Sequence, residues 1–169
     1  QRQMCIRDRY LQALHKTASM SLIQYEVSNF AKADFQSRSN LKVWDGQPYL
    51  GLGCGAHSFD GVNRWGNVRS MRKYMESVGR EEPPRDFMET PTRLQQASER
   101  LMLSLRRPEG LNILTWQEEF QICLSLEQKN QMEKLKDQDL VSWESPILKL
   151  TTEGMLLADA ITAELMPEA

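Results

Sequence analysis

Three glycines at alternate positions, Gly51, Gly53 and Gly55 in the run Gly-Leu-Gly-Cys-Gly-Ala-His-Ser over 51–58, constrain this chain more than any other feature. Glycine weakens a strand interior and enters backbone regions closed to other residues. The run therefore predicts a tight place. Either a cofactor or a neighbouring strand approaches the main chain there, or a barrel strand ends in a sharp bend. Its spacing, G-x-G-x-G, departs from the G-x-G-x-x-G of a dinucleotide fold, and no Gly-Lys-Ser/Thr follows as a phosphate-binding loop requires. Neither nucleotide reading is carried forward.

Around this run the chain reads as part of an α/β fold. Tyr10, Leu11, Leu14 and Ala18 recur at helical spacing and predict a short helix over 10–20. Leu22, Ile23, Tyr25 and Val27 suit a strand that delivers Glu26, Ser28 and Asn29 at its end, where β/α folds keep their sites. Residues 31–50 read as polar loop, with Asp45-Gly46 as a turn signal, and 63–67 as a second turn. Val68, Met71, Tyr74, Met75 and Val78 fall on one face of a helix over 68–78 that Gly79 stops. The start, Gln1 to Arg9, shows no clear element and is read as a truncated end or a frayed helix start.

The charged stretch 79–86, with Pro83-Pro84, is the predicted linker. It divides a first region over 10–82 from a second over 88–167. In the second region Thr90 is expected to cap a helix that Pro91 opens, burying Leu94, Ala97, Leu101 and Leu105. Thr115 and Glu118 match a capping box for a helix burying Trp116, Phe120 and Cys123 or Leu124. A third helix over about 126–137, two short strands at 140–143 and 147–150, and a last helix through Leu165 complete a winged-helix-like module. So small a module has little buried surface to spare, so docking on the first region is expected.

A winged module raises the possibility of nucleic-acid binding, and charge decides against it. The net charge is −2, and Lys129, Lys134 and Lys136 are offset by Glu127, Glu133 and Asp137 on the third helix. Phosphate contacts need a basic face. The apolar runs are too short to span a bilayer and the N-terminus lacks a secretory pattern, so a cytoplasmic location is expected. Cys5, Cys54 and Cys123 are scattered, without the close spacing by which one loop presents several thiolates to zinc or an iron-sulfur cluster. His57 is open as a ligand or as a hydrogen-bonded structural residue. Trp44, Tyr49 and Trp65 either line a surface for a flat ligand or pack a loop.

The segment 25–59, YEVSNFAKADFQSRSNLKVWDGQPYLGLGCGAHSF, resembles the distal part of the radical S-adenosylmethionine domain in the heme chaperone family related to oxygen-independent coproporphyrinogen III oxidase. Residues 101–112 and 148–161 resemble that family's C-terminal domain. The resemblance implies the distal piece of a partial (β/α) barrel followed by a small winged-helix-like α+β domain. It implies a [4Fe-4S] cluster held by a C-x-x-x-C-x-x-C loop that this sequence lacks, with S-adenosylmethionine on the fourth iron. The cluster-binding half of the barrel is then expected upstream of Gln1, as a partner of this piece. Carried residue by residue, the cofactor face falls on Glu26, Asn29, Gly51, Gly53, Gly55 and Ala56, with Ser28 beside them; no catalytic residue and no metal ligand is assigned.

One departure stands out. The family's His-Asn-x-x-Tyr-Trp motif, implicated in heme binding, reads Ser39-Asn40-Leu41-Lys42-Val43-Trp44 here. A serine hydroxyl is a far poorer iron ligand than imidazole. The sequence is compatible with three functions: a heme chaperone handing heme to an acceptor protein, an oxidoreductase acting on a porphyrinogen, and a winged-helix interaction or nucleic-acid-binding module.

Overall fold

The computed structural model describes residues 2–167, with side chains from Ile6 onward; Gln1 and the Cys5 thiol lie outside the described residues. Helix α1 spans Arg2–Ala18, so the stretch read as lacking a clear element is helical. Its residue types are mostly good helix formers. A long-range contact also holds it: Arg7 pairs with Glu153 at 2.7 Å.

Strand β1 (Ile23–Glu26) turns through Val27-Ser28 into β2 (Asn29–Ala31), pairing Ile23 with Ala31 and Glu26 with Asn29. The expectation of a strand that simply ends in a loop is corrected to a hairpin. Its turn is closed by the Ser28 N–H donating to Glu26 Oε1 at 2.9 Å. Within the expected loop over 31–50, helix α2 forms over Arg38–Trp44. Ser37 caps it by accepting the Asn40 N–H, which is why a polar run that looks like loop begins a helix.

Three antiparallel strands follow, in the order β3-β4-β5: β3 (His57–Phe59), β4 (Arg64–Asn67) and β5 (Arg85–Glu89). The turn predicted at 63–67 is strand; the reversal lies at Asp60–Asn63, where Asp60 Oδ1 accepts the N–H groups of Val62 and Asn63 at 2.8 and 2.6 Å. Those donors hold the Asp60 carboxyl below the usual carboxylate range. Helix α3 (Met71–Gly79) buries no residue, and its apolar side chains Met71, Met75 and Val78 face outward. The charged stretch read as linker runs into β5, because Arg85 has its guanidinium 4.9 Å from the Trp65 ring centroid and the β5 backbone pairs with β4. Met88 and Glu89 belong to this sheet.

Helix α4 (Arg93–Leu105) is capped by Thr92 with Gln95, not by Thr90: both hydrogen bonds of a capping box are present there. Strand β6 (Leu111–Asn112) precedes α5 (Ile113–Phe120), whose cap is Asn112 and not Thr115, since Asn112 Oδ1 accepts from both Leu114 and Thr115. Helix α6 (Leu126–Asp137), strands β7 (Val141–Glu144) and β8 (Ile147–Leu150), and helices α7 (Thr152–Met155) and α8 (Ala158–Glu164) follow. The expected last helix is thus broken in two. Strand β6 joins the hairpin to give the order β6-β8-β7. Ala97, Leu101, Leu105, Trp116, Phe120, Met132, Leu135, Leu148 and Ile161 share one core; Cys123 is exposed, and half-buried Leu124 packs there in its stead. Among the described residues no helix is long and apolar enough to cross a membrane.

Candidate functional site

The glycine run forms a loop whose ends are clamped by paired backbone bonds. Tyr49 and Phe59 exchange N–H···O contacts of 2.8 and 2.9 Å across its mouth. At Gly51 a Cβ would lie 2.1 Å from the His57 carbonyl oxygen, so only glycine fits against that backbone. Gly53 has φ +100, and a Cβ there would meet nothing within 4 Å. One glycine therefore answers a close approach from within, while the other leaves the outer side of the loop open.

Three side chains hold the loop in shape. The Gly51 N–H donates to Ser58 Oγ at 2.9 Å and the Gly53 N–H to the Tyr74 hydroxyl at 3.1 Å. Asn67 Nδ2 donates to the Gly53 carbonyl at 2.9 Å. Ser58 and Asn67 are both buried. Since the Gly55 N–H donates to Val68 and the Ala56 N–H to Gly53, all four of these N–H groups are satisfied inside the protein. Such a loop offers van der Waals access to a flat group through Gly53 and does not form the ring of free amides that cradles a phosphate.

Glu26 is only 1% exposed, and its Oε1 is committed to the Ser28 N–H. Asn29 is exposed at the head of β2. The hairpin carrying them and the sheet carrying the glycine loop are separate, and among the described residues no hydrogen bond joins hairpin to loop. Ser39 is exposed on α2 with its hydroxyl 3.0 Å from that of Ser37, while Asn40 Nδ2 reaches the Tyr25 hydroxyl at 3.4 Å. Val43, Tyr49 and Phe59 line a cavity of about 160 Å³ between α2, the loop and α4. His57 stands at the sheet with its ring edge-on to Phe87, centroids 5.5 Å apart.

The supports Ser58, Asn67 and Tyr74 were not among the residues singled out for the cofactor face. Tyr74 appeared only as one of a helical apolar stripe, and nothing local marks a hydroxyl that will meet an amide twenty-one residues away. Among the described residues no three His, Cys, Asp or Glu side chains are grouped to hold a metal ion. Cys54 is half-buried in the loop and Cys123 exposed, so these residues do not fit a [4Fe-4S] cluster, which needs several thiolates delivered together.

An open antiparallel piece with a constrained glycine loop, followed by a three-stranded α+β module, superposes on the coproporphyrinogen III oxidase HemN of Escherichia coli, described as a radical SAM enzyme. The TM-score is 0.73 at 16% identity, over 92% of this chain and 39% of that one. The fold is thus that of part of a radical S-adenosylmethionine barrel with a small following domain. In sequence the chain is 30% identical over 156 residues to the heme chaperone HemW of Bacillus subtilis, covering 92% of this chain and 41% of that protein. It is 31% identical over 142 residues to HemW of Mycobacterium tuberculosis, covering 84% and 34%. No family model matches the chain. The chain is related in sequence to heme chaperones and in fold to a radical S-adenosylmethionine enzyme, and it spans about two fifths of the length of the relatives it matches.

Proposed function

We propose that this chain serves as the distal cofactor face and C-terminal domain of a heme chaperone-like protein that binds heme and passes it to an acceptor protein. The observation that carries this reading is the apolar surface between α2 and the glycine loop. Val43 and Tyr49 line its cavity, and Leu50 and Leu52 beyond them face solvent, Leu52 at 80% exposure. Exposed apolar groups gathered beside a loop that admits close approach suit a flat, largely apolar macrocycle.

On the same reading, Asn29, Gly51, Gly53, Gly55 and Ala56 would face S-adenosylmethionine when the cluster-bearing part of the barrel is present, while Glu26, buried and bound to the Ser28 N–H, shapes the hairpin that presents Asn29. Bound with its cluster, that cofactor would supply the radical chemistry, for which this chain contributes no group of thiolates among its described residues. The chain's own contribution is positional: Ser58, Asn67 and Tyr74 keep the loop open at Gly53. The outward Met71, Met75 and Val78 on α3 suit contact with further barrel elements.

Ser39 supports a second reading, a coproporphyrinogen III oxidase-like oxidoreductase, because its hydroxyl is a poor axial ligand. Titrating the chain with hemin and following the Soret band separates the two. The expected result is weak uptake that Ser39→Ala and Asn40→Ala leave spectrally unchanged and Leu52→Asp diminishes. Complete absence of uptake would sink the heme-binding reading. A six-coordinate spectrum abolished by a substitution within 37–44 would overturn ligand-free binding by that stretch.

A further inference from the structure

We infer that Arg100 and Arg107, from the C-terminal module, are positioning residues that fix helix α2, and so set how the proposed heme-facing surface is presented. The link to heme rests on the function proposed above; the clamp itself does not.

Helix α2 is seven residues long and buries no side chain fully, so packing alone does not hold it. A helix that short is marginal unless tertiary contacts fix it. Its C-terminal carbonyls are closed locally, with the Asp45 N–H donating to Leu41 at 2.8 Å and the Gln47 N–H to Lys42 at 2.9 Å. Asn40 reaches Tyr25 from the other end of α2, while at this end Asp45 offers both a carbonyl and a carboxylate by which the helix can be gripped.

Both arginines take hold there. Arg100 Nη1 donates to the Asp45 carbonyl at 3.0 Å, and Arg107 Nη1 pairs with the Asp45 carboxylate. The Arg107 side chain is 19% exposed and that of Asp45 42%, so this contact is shielded from solvent on the arginine side only. Two cationic groups at a helix C-terminus also complement its dipole. Each arginine is itself oriented from the C-terminal side: Arg107 Nε donates to Glu109 at 3.1 Å, and Arg100 Nη2 lies 3.5 Å from Glu119 of α5. Glu119 belongs to the helix that carries Trp116 and Phe120 into the core. The position of α2 is thereby referred to the best-packed part of the molecule, across a seam whose cavity shows that apolar contact is incomplete.

Amide hydrogen exchange of the whole chain, read by mass spectrometry at neutral pH, tests the clamp. Asp45→Asn and Arg107→Gln are each expected to speed exchange of peptides covering 41–47 about fivefold, in keeping with one charge-assisted contact. The double variant is expected to add little to either single, and Arg107→Lys to restore part of the protection. Peptides from α6 to β8 should not change. Unchanged exchange at 41–47 would overturn the clamp, as would independent, additive effects or equal acceleration at 128–150, which marks general destabilisation. In parallel, hemin affinity is expected to fall about fivefold in Arg107→Gln. Faster exchange with undiminished hemin affinity would break the link to ligand presentation. A chain that takes up no hemin, with exchange still accelerated, would sink the proposed function and leave the clamp standing.

Discussion

Residues 6–89 and residues 97–165 are of comparable length, yet they bury apolar surface very differently. Among the described residues, seventeen hydrophobic residues are buried, of which Ala31 alone lies in the first region and sixteen lie in the second. Among the large apolar side chains left exposed in the described residues the bias reverses, with fourteen of seventeen in the first. The second region closes around Trp116 and Leu101, whereas the first is held by backbone pairing, buried polar side chains and arginine contacts. The outward methionines of α3 and the exposed leucines of the glycine loop leave an apolar surface, in keeping with the further barrel elements proposed above.

The sharpest way to break this contrast is to remove the centre of the second core. Trp116 is 2% exposed, and its Nε1 donates to the Ala97 carbonyl at 3.0 Å. Trp116→Ala is expected to lower stability by about 3–5 kcal/mol in urea denaturation, while Met75→Ala on the exposed face of α3 changes it by less than about 0.5 kcal/mol. Equal effects would show that the two regions do not differ as described.

A smaller effect, confined to the first region, is expected from Gly51→Ala. Its Cβ would collide with the His57 backbone, so the loop must shift at a cost of about 1–3 kcal/mol, read as loss of protection in peptides covering 49–59 with 128–150 unaffected. Retained protection at 49–59 would mean the loop is plastic and not preformed.

The smallest effect concerns the tie between the regions at Arg7 and Glu153. A hydrogen bond from Arg7, with its charge, holds the Glu153 carboxyl below its ordinary range. A group with a depressed folded pKa stabilises above its unfolded pKa and loses that contribution as pH falls through the folded value. The difference in melting temperature between the chain and Glu153→Gln should therefore be present near neutrality and vanish on acidification below the usual carboxylate range. Because both groups are exposed, the difference should also shrink in high salt. A difference that grows on acidification would contradict the sign.

Local pattern was enough to identify α4, α6 and the β7–β8 hairpin, because in each the period of apolar residues matches one element and one buried face. The caps were displaced by two or three residues, from Thr90 to Thr92 and from Thr115 to Asn112, because several capping side chains stood close together and only backbone geometry selects one. Short elements were missed or misread. Helix α2 and strand β5 are polar or charged, and they form because Ser37 and the neighbouring strand β4 satisfy their backbones.

By itself the amino-acid sequence determined that Gly51 and Gly53 mark a constrained loop, that residues beyond about 90 form a small helical and hairpin module, and that the thiols are not spaced for a cluster. These follow from steric freedom, periodicity and spacing, which are properties of neighbours along the chain. Only the tertiary structure decided that Ser58, Asn67 and Tyr74 hold the loop, that Glu26 turns inward on its own hairpin, and that Asp45 meets two arginines from the other region. Hydrogen bonds and ion pairs between distant residues depend on where folding brings single polar atoms, and that leaves no periodic trace in the sequence.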